Sequence, residues 1–432
     1  MSERDKQILA IALPSIVSNI TVPLLGMVDV AVTGHMGSAA FIAAIAVGSM
    51  SFNLIYWLCG FLRMSTSGMT AQALGRRDMQ ALTGHLIRTV TVGFLLGLLF
   101  VVAGRPLCRL MLAVMGATAD VLPLARAYFR IVIYGAPAVL GLYGLSGWLV
   151  GMQNTRLPMV VSVVQNVVNI LLSVVLVFGF GCQMEGVATG TLVAQWTGFL
   201  LALAFTLRLY RRHLTPVGRR AVFGRTALSR FFTVSRDIFL RTLFLVAVNG
   251  CFTSVGARQG AVVLAVNTLL MQLFTLFSYV MDGFAFAGEA MCGRYVGAGN
   301  GAAFHDTVSR LFRWGWLLAA AYTVVYVVGG VPFLSLLTSE TDVTEASRSY
   351  VAWAWLIPLA GMAAFVWDGI YIGITRTRDM LVSSLSASVV FFLLCLTLLP
   401  LLGNHGLWLA FIVYLAVRGI VQTWLIRRHP VF

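Results

Sequence analysis

The sequence predicts an all-α integral membrane protein, with twelve transmembrane helices arranged as two six-helix lobes. Three observations predict this fold class. The 432-residue chain is 59% hydrophobic and only 10% charged, with a mean hydropathy of +0.90, so it has too little charge to cover a soluble domain of this length. Apolar runs of about 20 residues, the length that crosses a bilayer, recur from end to end. Short sequence matches also recur at one fixed spacing, which indicates a duplicated six-helix unit.

The apolar runs place the twelve spans in order along the chain. They are continuous and do not alternate at every second residue, so a β-barrel is excluded. Short loops join most of them. The predicted spans lie near residues 7–33, 41–63, 84–104, 121–150, 158–180, 186–208, 231–256, 261–288, 304–330, 345–373, 379–400 and 405–427.

Basic residues collect on one side of the predicted spans. The loop of residues 209–230 is the most basic stretch, and arginines also follow the second, fourth, eighth, tenth and twelfth spans. The opposite loops are poor in Lys and Arg, apart from Arg105, Arg109 and Arg258. The positive-inside rule therefore predicts that both termini are cytoplasmic. The net charge of +15 reflects this topology and contact with membrane lipids, and we expect no nucleic-acid partner.

The two halves of the chain match at a spacing of 222 residues. The matched pairs are Gly75 with Gly297, Arg88 with Arg310, Gly93 with Gly315, and "GMQNTR" at 151–156 with "GITRTR" at 373–378. Each half holds six spans, an even number, so both halves begin on the same side and the repeat is parallel. We therefore predict an N-terminal lobe (1–208), a basic cytoplasmic linker (209–230) and a C-terminal lobe (231–432) around a central cleft.

This organisation favours a secondary transporter in which the cleft opens alternately to each side. The sequence contains no P-loop, HExxH or GxSxG motif, so we expect neither an enzyme nor an ATP-binding domain in this chain. The six cysteines are scattered without a CxxC pair, as in ordinary helix packing, and we expect no metal and no cofactor. A channel is an alternative, but the two-lobe repeat favours alternating access.

Asp29 is the strongest functional candidate in the first half of the chain. It lies within an apolar segment, "VPLLGMVDVAVTGHMG", where an ionisable group is costly to keep. Burial raises the pKa of a carboxyl group, so an acid in such a place can bind and release a proton. Pro23 lacks an N–H and predicts a bend six residues earlier, which would couple proton uptake to cleft shape. The alternative is a solvated Asp29 at the outer helix end, with a packing role.

Amide side chains form a second candidate set in the N-terminal lobe. Asn166 and Asn169 are three residues apart in the fifth span and therefore share a helix face. They could share hydrogen bonds with Asp29, together with Asn53 of the second span and Gln195 of the sixth. The alternative is that these amides only tie helices together.

The C-terminal lobe carries its own charged residues, a candidate cation or ion-pair site. Arg241 lies well within the seventh span and needs an acidic partner. The available acids are Asp237, Asp282 and Asp368. Ion pairing is the favoured role for Asp237 and Arg241. Asp368 and Glu289 could instead bind a cation or a second proton.

Six segments, in order along essentially the whole chain, resemble the DinF branch of the multidrug and toxic compound extrusion (MATE) transporters. They are "ALPSIVSNITVPLLGMVDVAVTGHMG", "FLRMSTSGMTAQALGRRD", "SRDIFLRTLF", "DGFAFAGEA", "DGIYIGITRTRDM" and "LLGNHGLWLAF". The resemblance implies the MATE fold and a multi-pass antiporter of the bacterial inner membrane. It further implies coupling to protons or sodium ions and export of cationic or amphipathic lipophilic compounds. We expect a monomer.

The resemblance also carries particular residues. Asp29 matches the helix-one aspartate tied to proton coupling in DinF-type members, and Asn166 and Asn169 match the helix-five asparagines. Asp368 matches a helix-ten acid that helps form a cation site in sodium-coupled relatives of another branch.

The sequence departs from related patterns at two places. The sixth span lacks the aspartate of some archaeal relatives, and the seventh lacks the glutamate of sodium-coupled ones. These departures favour H⁺ over Na⁺ as the coupling ion. Sodium-coupled antiport through the C-terminal acids and transport of a lipid-linked precursor remain the alternatives.

Overall fold

A computed structural model describes residues 2–34, 38–116, 118–337 and 340–432, without the side chains of residues 22–30, 331, 335–337 and 341. The described chain is helical almost throughout. The first nine α-helices are α1 (Glu3–Gly34), α2 (Ala39–Leu58), α3 (Phe61–Gly75), α4 (Met79–Val102), α5 (Gly104–Val114), α6 (Leu122–Val132), α7 (Ala136–Gly151), α8 (Arg156–Val174) and α9 (Gln183–Leu209). The remaining helices are α10 (Arg219–Phe223), α11 (Arg225–Arg258), α12 (Ala261–Gly297), α13 (Gly301–Leu337), α14 (Thr341–Gly373), α15 (Thr377–Leu402) and α16 (Asn404–Arg428).

Eleven helical segments of the described residues are long and apolar enough to cross a membrane. They correspond in order to the second through twelfth predicted spans. The first predicted span lies within α1, which includes the residues whose side chains are not described. The prediction of an all-helical, multi-pass membrane protein is confirmed.

The chain packs as two compact units. The N-unit is Leu13–Ser235, and the C-unit is Met1–Ala12 together with Arg236–Phe432. In the N-unit, α7 packs on α3 and α4, and α8 packs on α9. In the C-unit, α14 packs on α12, α13 and α16, and α15 packs on α16. The predicted lobe limits at 208 and 231 stay a prediction.

Backbone contacts inside the two units repeat at the spacing of 222 residues. A Cβ atom on Gly147 would overlap the carbonyl oxygen of Arg63, and one on Gly369 would overlap that of Ala285. One turn further on, a Cβ on Gly151 would lie 2.6 Å from the Ser67 carbonyl oxygen. The partners of that contact, displaced by 222, are Gly373 and Glu289, again at 2.6 Å, listed here only as the matching pair. Close helix approach at small residues is typical of membrane helix packing, and here it is duplicated.

Helix ends repeat as well. Gln153 follows α7 with a left-handed φ of 63°, and Thr375 follows α14 with a φ of 56°. The N–H of Asn154 reaches back to the Leu149 carbonyl and closes the end of α7. These turns fall in the two matched hexapeptides of the sequence, so the sequence repeat corresponds to a structural one.

Three helices are interrupted where the sequence predicted continuous spans. The second span divides into α2 and α3 around Cys59 and Gly60, without a proline. A 3₁₀ turn at Ile133–Gly135 separates α6 from α7, just before Pro137. A π-helical turn at Val175–Gly179 extends α8, a feature frequently found at functional sites.

Two arginines 222 residues apart anchor the segments that lead into α11 and α1. In the N-unit, buried Arg88 donates through Nε to the Val222 carbonyl at 2.7 Å, on the short helix α10. In the C-unit, Arg310 of α13 donates to Asp5 at 3.0 Å and to Asp306 at 2.9 Å. The matched arginines therefore hold the beginnings of the two helices that open the sequence repeats.

Candidate functional site

The two residues that carried the proton hypothesis lie outside the described side chains. Pro23 and Asp29 fall within α1, whose backbone is helical from Glu3 to Gly34. The predicted bend at Pro23 and the surroundings of the Asp29 carboxyl group therefore stay predictions. The described residues of α1 nearest in sequence, and the helices packed on them, define the polar neighbourhood.

One face of α8 is hydrogen-bonded to α1. The Asn166 amide donates through Nδ2 to the Thr21 carbonyl oxygen at 3.1 Å. One turn earlier on α8, the Ser162 hydroxyl lies 3.2 Å from the Thr21 hydroxyl. Thr21 precedes Asp29 by eight residues, about two helical turns. This polar seam therefore lies on the helix that carries the predicted proton carrier.

The second asparagine of α8 contacts a different helix. The Asn169 side chain is buried and donates through Nδ2 to the Thr191 hydroxyl of α9 at 3.3 Å. Its Oδ1 accepts from the Ser173 hydroxyl at 3.0 Å. Asn166 and Asn169 thus tie α8 to two neighbours, and both amides already hold protein partners.

The other two predicted amides are separated from this seam. Asn53 is exposed on α2. Gln195 is buried on α9, and a Cβ on Gly135 would overlap its Oε1 atom. No donor among the described residues reaches that oxygen. A single cavity lined by all four amides is therefore not what the described side chains form.

In the C-unit, Asp368 is the centre of a buried charged cluster. Its Oδ2 accepts from Arg241 of α11 and, at 2.5 Å, from Arg418 of α16. Its Oδ1 accepts from Gln422 at 2.7 Å. We call these four residues the Asp368 cluster; all are buried. One carboxylate faces two guanidinium groups, so the cluster carries a net positive charge.

Asp237 pairs with a different arginine from the one four residues away. Its Oδ1 accepts from Arg236 at 3.0 Å, and its Oδ2 accepts from the Thr377 hydroxyl at 3.2 Å. Of the three acids that the sequence offered to Arg241, the structure selects Asp368. The two remaining candidates lie on α12, where Asp282 is half-buried and Glu289 is buried.

Arg418 and Gln422 were missed by the reasoning from sequence. They lie four residues apart in "YLAVRGIVQTW", within the last span. An arginine inside an apolar run was the available signal, because such a group requires a buried partner. The arrangement can hold three helices together, and its carboxylate oxygens already accept three donors.

Comparisons with known proteins agree on the family. The sequence matches the family described as MatE over residues 14–175 and 238–397. It is 37% identical over 429 residues to DNA damage-inducible protein F of Escherichia coli, covering 99% of this chain and 93% of that protein. A crystal structure of MATE in the straight conformation superposes with a TM-score of 0.88 at 19% identity, covering 99% of this chain and 96% of that one. The Vibrio cholerae MATE transporter VcmN in the bent form gives a TM-score of 0.86 at 19% identity, covering 99% and 97%.

An all-helical, multi-pass membrane chain of this fold is a secondary transporter and not an enzyme. The chain belongs to the MATE family, with E. coli DNA damage-inducible protein F as a homologue over nearly its full length. The family assignment made from the six sequence segments is confirmed. The family's transporters are of the multidrug-efflux type.

Proposed function

We propose that this chain is a proton-coupled antiporter that exports cationic or amphipathic lipophilic compounds by alternating access. The observation that carries the proposal is the polar seam between Asn166 of α8 and Thr21 of α1. In an apolar unit, it brings hydrogen-bonding groups to the helix on which Asp29 stands. A membrane carboxyl group that gains and loses a proton needs such partners in at least one of its states.

The proposed role of Asp29 is proton carrier. Protonation from outside would neutralise the carboxylate and favour release of a cationic compound. Deprotonation toward the cytoplasm would restore the negative charge and renew binding. Among the carboxylates of the first six predicted spans, Asp29 alone lies in the middle of an apolar run.

The surroundings of Asp368 count against the sodium alternative. A sodium ion needs free oxygen ligands, whereas both carboxylate oxygens of Asp368 accept hydrogen bonds from Arg418, Gln422 or Arg241. Two guanidinium groups beside the site also repel a cation. A cation could enter only after the arginines had moved away.

The remaining assignments belong to the same proposal. We propose a monomer in the bacterial inner membrane, with both termini in the cytoplasm. The basic segment of residues 209–230 supports this orientation through the positive-inside rule. A lipid-linked precursor is a less supported substrate, because such flippases tend to have more spans and a cationic cleft.

The test is transport of a fluorescent cationic dye in proteoliposomes, with pH and sodium gradients imposed separately. The wild-type chain is expected to respond to the pH gradient, and Asp29→Asn is expected to lose that response. Glu185→Gln is the matched control, because Glu185 is an exposed acid at the start of α9. Size-exclusion profiles check that both variants are folded.

Unchanged pH-driven efflux by Asp29→Asn would refute the proton-carrier role. A wild-type response to sodium alone would replace H⁺ with Na⁺ as the coupling ion. Equal loss in Glu185→Gln would show that the effect belongs to surface charge and not to the α1 site.

A further inference from the structure

A basic pocket lies in the N-unit where α4 ends and α5 meets α6. Its volume is about 870 Å³. Four arginines line it, Arg105 and Arg109 from α5 and Arg126 and Arg130 from α6, and no carboxylate is among its lining residues. We call it the four-arginine pocket.

The sequence spacing explains how four guanidinium groups converge. Arg105 and Arg109 are four residues apart, as are Arg126 and Arg130, so each pair lies on one helix face. The two helices pack on each other, which brings the two pairs to one cleft. Like charges at this spacing repel, so the arrangement destabilises the isolated chain.

The chain itself supplies no counter-charge. All four arginines are exposed, and none forms an ion pair or hydrogen bond with another described residue. Elsewhere in the described chain, arginines with a structural role have partners, such as Arg310 with Asp5. The neutralising group for the pocket must therefore come from outside the protein.

The wall of the same pocket is apolar. Val102 is 84% exposed beside it, and the buried Phe129 and Ile133 form part of its lining. Tyr134 is 59% exposed at its edge, in the position that aromatic side chains take at a membrane interface. The pocket therefore matches a ligand with an anionic head and an apolar tail.

We propose that the four-arginine pocket binds the phosphate headgroup of an anionic phospholipid. Guanidinium groups contact phosphate oxygens in pairs, and four of them suit a headgroup with two phosphates better than one with a single charge. The acyl chains would follow the apolar wall. In the proposed orientation this pocket faces the outer side, where the positive-inside rule disfavours unneutralised arginine.

Native mass spectrometry of the purified full chain tests the proposal. The chain is titrated with cardiolipin, which has two phosphates, with zwitterionic phosphatidylcholine, and with glycerol 3-phosphate as a soluble phosphate. The pocket variant is Arg109→Gln with Arg126→Gln. The matched control is Arg258→Gln with Arg348→Gln, two exposed arginines outside the pocket.

The wild-type chain and the control are expected to retain cardiolipin in preference to phosphatidylcholine. The pocket variant should bind cardiolipin about tenfold more weakly, as expected when two charge-assisted contacts are weakened. Arg109→Lys with Arg126→Lys keeps the charge but loses the paired geometry, and should be intermediate. Thermal unfolding profiles confirm that each variant is folded.

Three outcomes would overturn the proposal. The first is undiminished cardiolipin binding by the pocket variant. The second is an equal loss in the control, which would assign the binding to general surface charge. The third is displacement of cardiolipin by equimolar glycerol 3-phosphate, which would identify a site for soluble phosphates and not for lipid.

Discussion

The carboxylate of Asp368 accepts a hydrogen bond from the guanidinium group of Arg418 across 2.5 Å, between α14 and α16. Arg241 of α11 binds the same oxygen, so one acid joins three helices of the C-unit. A charged pair buried among apolar helices does not by itself guarantee stability, but loss of one partner is costly. The Asp368 cluster is therefore expected to act first as a structural centre.

Replacement of Asp368 by Asn should destabilise the C-unit by about 3–5 kcal/mol, because two buried arginines lose their counter-charge. Thermal unfolding in detergent, followed by size-exclusion chromatography, measures the effect. The double variant Asp368→Asn with Arg418→Gln removes one excess charge and should recover part of the lost stability. If Asp368→Asn were as stable as the wild type but lost a sodium response, Asp368 would be a cation ligand.

The two repeated glycine contacts should respond alike to substitution. Gly147→Ala and Gly369→Ala each place a methyl group against a backbone carbonyl, and each should cost about 1–3 kcal/mol of unfolding free energy. Gly84→Ala is the matched control, because its Cβ would meet no atom within 4 Å. Since alanine favours a helix, that variant should be neutral or more stable by up to about 1 kcal/mol. Thermal unfolding of all three distinguishes these results.

A large difference between Gly147→Ala and Gly369→Ala would contradict the structural repeat at these contacts. A destabilised Gly84→Ala would show instead that any added side chain is harmful on these helices. Only the combination of two matched losses and a tolerant control supports the close approach.

Loss of the Asn166 amide should slow pH-driven transport more than it lowers stability. Asn166→Ala removes one hydrogen bond to the Thr21 carbonyl, which is worth about 1 kcal/mol. Initial rates of dye efflux in proteoliposomes, compared with melting temperatures, separate the two effects. Asn53→Ala is the control, since Asn53 is exposed and forms no described hydrogen bond. Equal rates for Asn166→Ala and wild type would exclude the seam from coupling.

The amino-terminal anchor should depend on pH in one direction only. Hydrogen bonds from the Ser2 backbone N–H and hydroxyl hold the pKa of Asp5 well below its usual value, and Trp314 and Arg310 add to this effect although partial desolvation opposes it. A lowered carboxyl pKa stabilises the folded state above the ordinary value near 4, and that contribution disappears as the pH falls through the folded-state value. Asp5→Asn should therefore melt below wild type at pH 7, with the gap narrowing below about pH 4. A gap independent of pH between 7 and 3 would contradict this assignment.

Much of the fold could be predicted because it depends on local sequence. Apolar length alone located the spans from the second to the twelfth, and the matched arginines at 88 and 310 marked a repeat that the structure shows as matched anchors. Interruptions were harder to predict. The break at Cys59 and Gly60 has no proline, so its cause lies in packing and not in a local rule.

Partners separated in sequence were not predictable in the same way. Arg418 is 50 residues from Asp368, and only the packing of α14 on α16 brings them together. Likewise, Arg105 and Arg109 were visible as exceptions to the charge rule, but their meeting with Arg126 and Arg130 depends on the packing of α5 on α6. Periodicity identifies a helix face, while tertiary contacts decide what that face meets.

The boundaries between the two units fall inside helices. One unit ends and the other begins between Ala12 and Leu13 in α1, and again between Ser235 and Arg236 in α11. Each crossing is thus a stiff rod, so movement of either unit must load both rods in torsion or bending. Lengthening the 209–230 segment would leave this mechanical link intact. Because Asp29 stands on one of the rods, a proton bound there would act directly on a shaft shared by both units.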